Sequence, residues 1–212
     1  MKRNLFNLFA LLSFISVCFI FMGYQSRTSN DDYQSEKAVI TEMNRCRMNP
    51  KDYAETTLKK HLKRFVNENT YSMANGALIM TNEGRRRVLD AINELKNMQP
   101  VGPLTYDDDL AKAARFHCED TGPSGLVGHN STDGTSMSAR LKRYVKDRMR
   151  WGENIDYGNS NAEDIVVSLI IDDGVPSRGH QKNIMNSSFR RAGAAIGPHK
   201  QYGAMCTIDF SD

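Results

Sequence analysis

Trp151-Gly152-Glu153-Asn154-Ile155-Asp156-Tyr157-Gly158 is short, carries glycine at its second and last positions, and leaves no room for a helix. It reads as a strand or extended turn that holds Glu153 on extended backbone. Outward from it, two more glycine-led steps carry histidine: Gly128-His129-Asn130 before it and Gly179-His180-Gln181 after it. Two imidazoles and a carboxylate are the raw material of a divalent cation site or of general acid and base chemistry. The preceding glycines let the backbone turn sharply or approach a neighbour closely. The three positions lie roughly two dozen residues apart, so only folding can gather them.

The flanking patterns place both histidines in loops. Asp107-Asp108-Asp109 suits the positive end of a helix dipole, and Leu110, Ala113, Ala114 and His117 follow at helical spacing until Gly122. This puts His117 in the core or at its edge. Its neighbour Glu119 makes a His-x-Glu like that of zinc deaminases, but the downstream Pro-Cys-x-x-Cys is missing. Residues 122–134 carry Pro123 and four glycines, so His129 belongs to a loop. A short helix over Ser136 to Tyr144 turns Met137, Leu141 and Tyr144 inward. On the other side Asn161 caps a helix whose Ile165, Val166, Leu169 and Ile170 face the core. Asp172-Asp173-Gly174 ends it, with Pro176 beyond. His180 lies in the loop that follows. The last segment reads as a β-hairpin, Ala192 to Ile196 and Gly203 to Phe210, turning at Gly197-Pro198-His199 with His199 at an exposed tip.

The first half is helical. Val39, Ile40, Met43 and Cys46 recur at helical spacing from Ser35 to Asn49. Asn49-Pro50 opens a second helix with Tyr53, Ala54, Leu58, Leu62, Phe65 and Val66 on one stripe and His61 at its border. Residues 67–81 read as a loop. Thr81 is placed to cap a third helix, with Val88, Leu89, Ile92 and Leu95 inward, that stops at Pro100-Val101-Gly102-Pro103.

At 212 residues the chain fits one domain behind a leader. Lys2 and Arg3, an apolar stretch from Leu5 to Met22 and a polar segment from Gln25 have the layout of a secretory signal. Residues 1–26 are therefore expected to be a signal peptide, or else an N-terminal anchor in the membrane. Loss of Lys2 and Arg3 lowers the formal charge of +3 to near balance, 26 basic residues against 25 acidic, which argues against a nucleic-acid partner. Arg85-Arg86-Arg87 and Lys142-Arg143 read as solvated helix faces. Cys46, Cys118 and Cys206 allow at most one disulfide in an exported protein, and three buried thiols are the alternative. In a eukaryotic host Asn130-Ser131-Thr132 and Asn186-Ser187-Ser188 would be glycosylation acceptors. No internal repeat and no Gly-x-Ser-x-Gly, Ser-x-x-Lys or His-Glu-x-x-His motif is present.

Taken in order, the segments resemble the CAP superfamily, that is, cysteine-rich secretory proteins, antigen 5 and pathogenesis-related class 1 proteins. The resemblance is carried by Asn44-Arg45, Asn49-Pro50, Tyr53-Ala54, Leu104, Leu110 and Ala113-Ala114-x-x-His117. It continues through Gly128-His129 with Asp133-Gly134, Gly152-Glu153-Asn154-Ile155, Gly179-His180 with Asn183-Ile184, and Arg191-Ala192-Gly193. It spans residues 33–212. The resemblance implies an α+β fold, an α-β-α sandwich with a central antiparallel sheet, and a cleft with two histidines and two acids that holds zinc or another divalent cation. His129 and His180 match the metal-ligating histidines. Glu153 matches one acid, and Asp172 or Asp173 stands where many relatives have glutamate. These acids are the cleft candidates for catalysis. The expected function is a secreted, extracellular binding or interaction module whose ligand, a lipid or a protein, is unidentified. A metal-dependent hydrolase or peptidase and a sterol or lipid carrier are the alternatives.

Overall fold

The chain builds helices first, interrupts them with a small hairpin, and ends in long strands. The computed structural model describes residues 29–212 except 74–75 and 148. α1 (Ser29–Met48) is followed by α2 (Pro50–Tyr53), a π-helical turn (Ala54–Leu58) and α3 (Lys59–Leu62). β1 (Thr70–Ser72) and β2 (Leu78–Met80) form a two-stranded sheet, and α4 (Gly84–Asn97) follows. Next come β3 (Thr105–Tyr106), α5 (Asp108–Thr121), α6 (Met137–Leu141) and β4 (Trp151–Tyr157). α7 (Ala162–Ile171), α8 (Gly179–Ile184), β5 (Arg191–His199) and β6 (Gly203–Ser211) complete the chain.

The main sheet has the order β3-β5-β6-β4. Its three long strands are antiparallel, and the two-residue β3 joins β5 in parallel. Alternation along β5 and β6 sets the layers, because successive side chains point to opposite faces. Ala192, Ala194, Cys206, Ile208 and Phe210 enter the large core with α1, α4 and α7. Ala195 and Met205 turn the other way, onto Ala114 and Cys118 of α5. The result is an α-β-α sandwich of the α+β class. At Gly193 a Cβ would come within 2.0 Å of the Ala111 backbone nitrogen, so glycine is what lets α5 lie this close to β5.

Two terminal signals act as the sequence suggests. Asp107 accepts from the backbone N–H of Asp109 and Leu110 to start α5, and Asn161 accepts from Asp164 N to start α7. Several expectations are corrected. Residues 67–81 contain β1 and β2, whose three-residue strands give too little alternation to register. The helix ends at Leu62: Phe65 still enters the core, but from an isolated β-bridge with Tyr71, and Val66 is exposed. Thr81 does not cap α4. The N–H groups of Asn82 and Glu83 are taken by Asp173 from across the fold. Leu89 is exposed rather than inward, whereas Arg87 is buried and donates to Ile171 O and the Glu94 carboxylate. The closing hairpin is longer than expected and turns at residues 200–202, with His199 paired to Gly203. His199 is consequently buried, its ring edge-on to Tyr157.

Cys46, Cys118 and Cys206 are all buried thiols without a disulfide. Burial pushes Cys46 up to about 12 and Cys118 up to about 11, so none is a ready thiolate. The expected leader, residues 1–26, lies outside the described residues. Among those described, no helix is long and apolar enough to cross a membrane.

Candidate functional site

β4 is the edge strand that organises the site, and two of its consecutive residues hold the two histidine segments. Glu153 points to the α5 face, where its Oε1 lies 2.8 Å from His129 Nδ1. Asn154 points the other way and donates from Nδ2 to the His180 backbone oxygen at 3.0 Å. Asn183 reinforces this by donating to Asn154 Oδ1 and to the Glu153 backbone oxygen. One dipeptide therefore fixes both segments.

His180 is not in a loop but in the first turn of α8. Its Nδ1 lies 2.6 Å from Asp172 Oδ1, while Asp172 Oδ2 accepts from the backbone N–H of His180 and Gln181. Asp172 ends α7 in the left-handed region at φ 57°, which turns its carboxylate back onto α8. Asp173 faces away to the start of α4, so Asp172 is the acid that meets His180.

Each imidazole thus presents Nδ1 to a carboxylate. An Nδ1–H donor leaves Nε2 with its lone pair, the tautomer a cation requires. Neither Nε2 has a hydrogen-bond partner among the described residues. His129 is the more open, its side chain 52% exposed against 23% for His180. Among the described residues no three His, Cys, Asp or Glu side chains converge in a way that could hold a metal ion. The four groups stand as two separate pairs, His129 with Glu153 and His180 with Asp172.

Beneath Glu153 lies a buried charge cluster that the sequence did not reveal. Arg140 of α6, fully buried, donates to Glu153 Oε2 and to the His129 backbone oxygen. Asp209 sits directly across the strand pair from Glu153, also fully buried, and neither of its oxygens accepts a hydrogen bond from a donor among the described residues. Two adjoining buried carboxyls cannot both keep a charge. Burial pushes Glu153 up, but the His129 hydrogen bond and the Arg140 charge outweigh that and hold it below its ordinary value. Burial and then the Glu153 charge push Asp209 well up, toward the protonated acid. His117, buried on α5, bonds Gly128 O through Nε2 at 2.9 Å and steadies the loop before His129.

The three leading glycines differ. Gly128 has φ 118°, and a Cβ on Gly152 would lie 2.8 Å from the Phe189 ring, whereas Gly179 has neither constraint. On the other face a cavity of about 490 Å³ opens between the β1–β2 hairpin, α7 and the end of β4. Asp172 and His180 line it, together with Asp156 and Tyr157.

Comparison with known proteins gives this geometry a lineage. The family model described as "Cysteine-rich secretory protein family", CAP, matches residues 89–210, more than half of the chain. The chain belongs to the CAP family. The match takes in Glu153, Asp172, Asp209 and both histidines, while α1–α3 and the β1–β2 hairpin precede it. An uncharacterized protein of Bacillus subtilis, YkwD, is 27% identical over 125 residues, 59% of this CAP chain. The chain spans about half of that relative's length, 46%. Among solved structures, an outer surface protein of Borrelia burgdorferi aligns at 19% identity and TM-score 0.45, covering 53% of this chain and 79% of that one. An extracellular Bacillus anthracis protein containing an SCP domain aligns at 20% identity and TM-score 0.43, covering 60% and 37%.

Arg140 and Asp209 were invisible in the sequence because isolated charged residues read as solvated. The one available signal was period two: Asp209 lies on the same strand face as Met205 and Thr207, which points it inward.

Proposed function

We propose that this CAP domain is an extracellular binding module that takes up a divalent cation between His129 and His180 as part of ligand recognition. The observation that supports this reading is the Glu153-Asn154 step, which ties both histidine segments to one strand while each carboxylate partner takes Nδ1 and leaves the Nε2 lone pair free among the described residues. In this reading Glu153 and Asp172 orient the imidazoles, and the bound ion would supply Lewis acidity and a charged anchor for a ligand donor. Two imidazoles with water completing the coordination bind weakly, which suits uptake and release. Placement outside the cell is supported by the family, whose model is described as secretory, and by the signal-like layout of the N-terminus.

Thermal unfolding with and without zinc tests the reading. Zinc at a hundredfold excess over its Kd should stabilise the protein by about 2.7 kcal/mol, and the His129→Ala, His180→Ala double variant should show no such gain. An unchanged melting temperature in the unaltered protein contradicts the reading.

A further inference from the structure

The cavity beside His180 has a wall that metal binding does not use. Its volume, about 490 Å³, is in the range of sites for small molecules. Asp156 lies in that wall, and its side-chain partners are neutral: Asn159 Nδ2, at 3.1 and 2.9 Å from its two oxygens, and Ser168. No lysine or arginine is among the described residues that line the cavity. Burial accordingly pushes Asp156 up to about 7, against the pull of those hydrogen bonds and the smaller pull of the His180 imidazole. The other carboxylates in the wall are committed. Asp164 pairs with Arg64, Asp172 with His180, and Asp173 with the start of α4.

A second, independent feature lies in the same wall. His61 is only 8% exposed, and its Nδ1 has no hydrogen-bond partner among the described residues. Burial holds this imidazole down at about 4, so it is neutral and able to accept a hydrogen bond. Its ring meets Tyr71 edge-on at 4.7 Å, and Tyr71 stands 5.6 Å from Phe65. Arg64 and Arg85 lie over the Tyr71 and Phe65 rings without lining the cavity, so these rings already accept cations on the protein's own account. The cavity therefore combines an aromatic wall, an unpartnered imidazole nitrogen and a buried carboxyl with no lysine or arginine beside it in the described wall. An anionic ligand would find no lysine or arginine in the described wall, and an uncharged one would leave Asp156 protonated or uncompensated.

We propose that this cavity binds a small organic ammonium ion on an apolar body, with the Asp156 carboxylate as its counter-ion, His61 Nδ1 as a further acceptor and the aromatic wall against its body. This site needs no metal at His129 or His180, so the two readings can fail separately.

The test titrates the full chain, with a chelator present, with benzylammonium and with its uncharged analogue benzyl alcohol, following binding by calorimetry and NMR. The ammonium ion is expected to bind about tenfold or more tightly than the alcohol, the scale of one charge-assisted hydrogen bond. Asp156→Asn should erase that preference, and Tyr71→Ala should weaken both probes. Equal binding of the two probes, or no saturable binding of the ammonium ion, overturns the proposal. Should Asp156→Asn fail to fold, the ammonium-to-alcohol ratio on the unaltered protein decides the ligand class, and resonances shifting away from Tyr71 and Asp156 overturn the location.

Discussion

The two histidine pairs reach the same result by opposite means. His180 and Asp172 are eight residues apart and are set by local chain geometry: a left-handed residue at the end of α7, a tight turn, and two backbone N–H groups of α8 on one carboxylate. His129 and Glu153 are set by distant, fully buried groups, the Arg140 guanidinium from α6 and the Asp209 carboxyl from β6, meeting between α5 and the sheet. A pair built locally depends on backbone conformation. One built from buried charges depends on every member being present, since a lone charge left in the interior is far more costly than a satisfied network.

That contrast can be broken experimentally. Arg140→Met should be the most damaging change, because it strands Glu153 beside Asp209 without a cation; a loss of about 3–5 kcal/mol is expected in urea unfolding. A loss below about 1 kcal/mol would mean that the cluster is not a unit. Next in size is a pH effect on the His180 side of β4. Asp156 is raised from the ordinary 3.8 to about 7, so the folded state holds a proton that the unfolded state releases. Its contribution is undiminished below the unfolded value and is lost as pH rises from about 4 to about 7, up to about 4 kcal/mol. Asp156→Asn cannot ionise, and its stability relative to the unaltered protein should rise across that window. A constant difference would contradict the raised value.

The local pair should respond more mildly. Asp172→Ala removes the acceptor for two backbone N–H groups and His180 Nδ1 and leaves alanine at positive φ, for a loss of about 1–3 kcal/mol. Smallest is Asp209→Asn, which keeps a donor toward Glu153 and introduces no new charge. Stability within about 1 kcal/mol of the unaltered protein is expected. A loss as large as that of Arg140→Met would show that Asp209 is ionised.

The same division explains what could be read in the sequence. The acidic run at the start of α5, Asn161 as a cap, the extended segment at Trp151 and the halt at Asp172-Asp173-Gly174 are local signals, and the fold uses them as read. The choice between Asp172 and Asp173 was not local, since it turns on the N-terminus of α4 lying beside Asp173. Arg140, Arg87 and Arg47 were hidden because a charged side chain in a helical pattern reads as solvated. In the structure all three are buried, and Arg47 donates to the carbonyls of Gly102, Ile184, Asn186 and Phe189. His199 was misplaced by the turn itself: moving the hairpin bend to residues 200–202 converts an exposed tip into a packed ring.

Nitrogen-15 NMR of the histidine rings during a zinc titration tests the central claim most directly. Before zinc, His129 and His180 should both be the Nδ1–H tautomer, and on addition both Nε2 resonances should shift together with one saturation curve. A shift of only one ring, or of neither, would contradict a shared cation site.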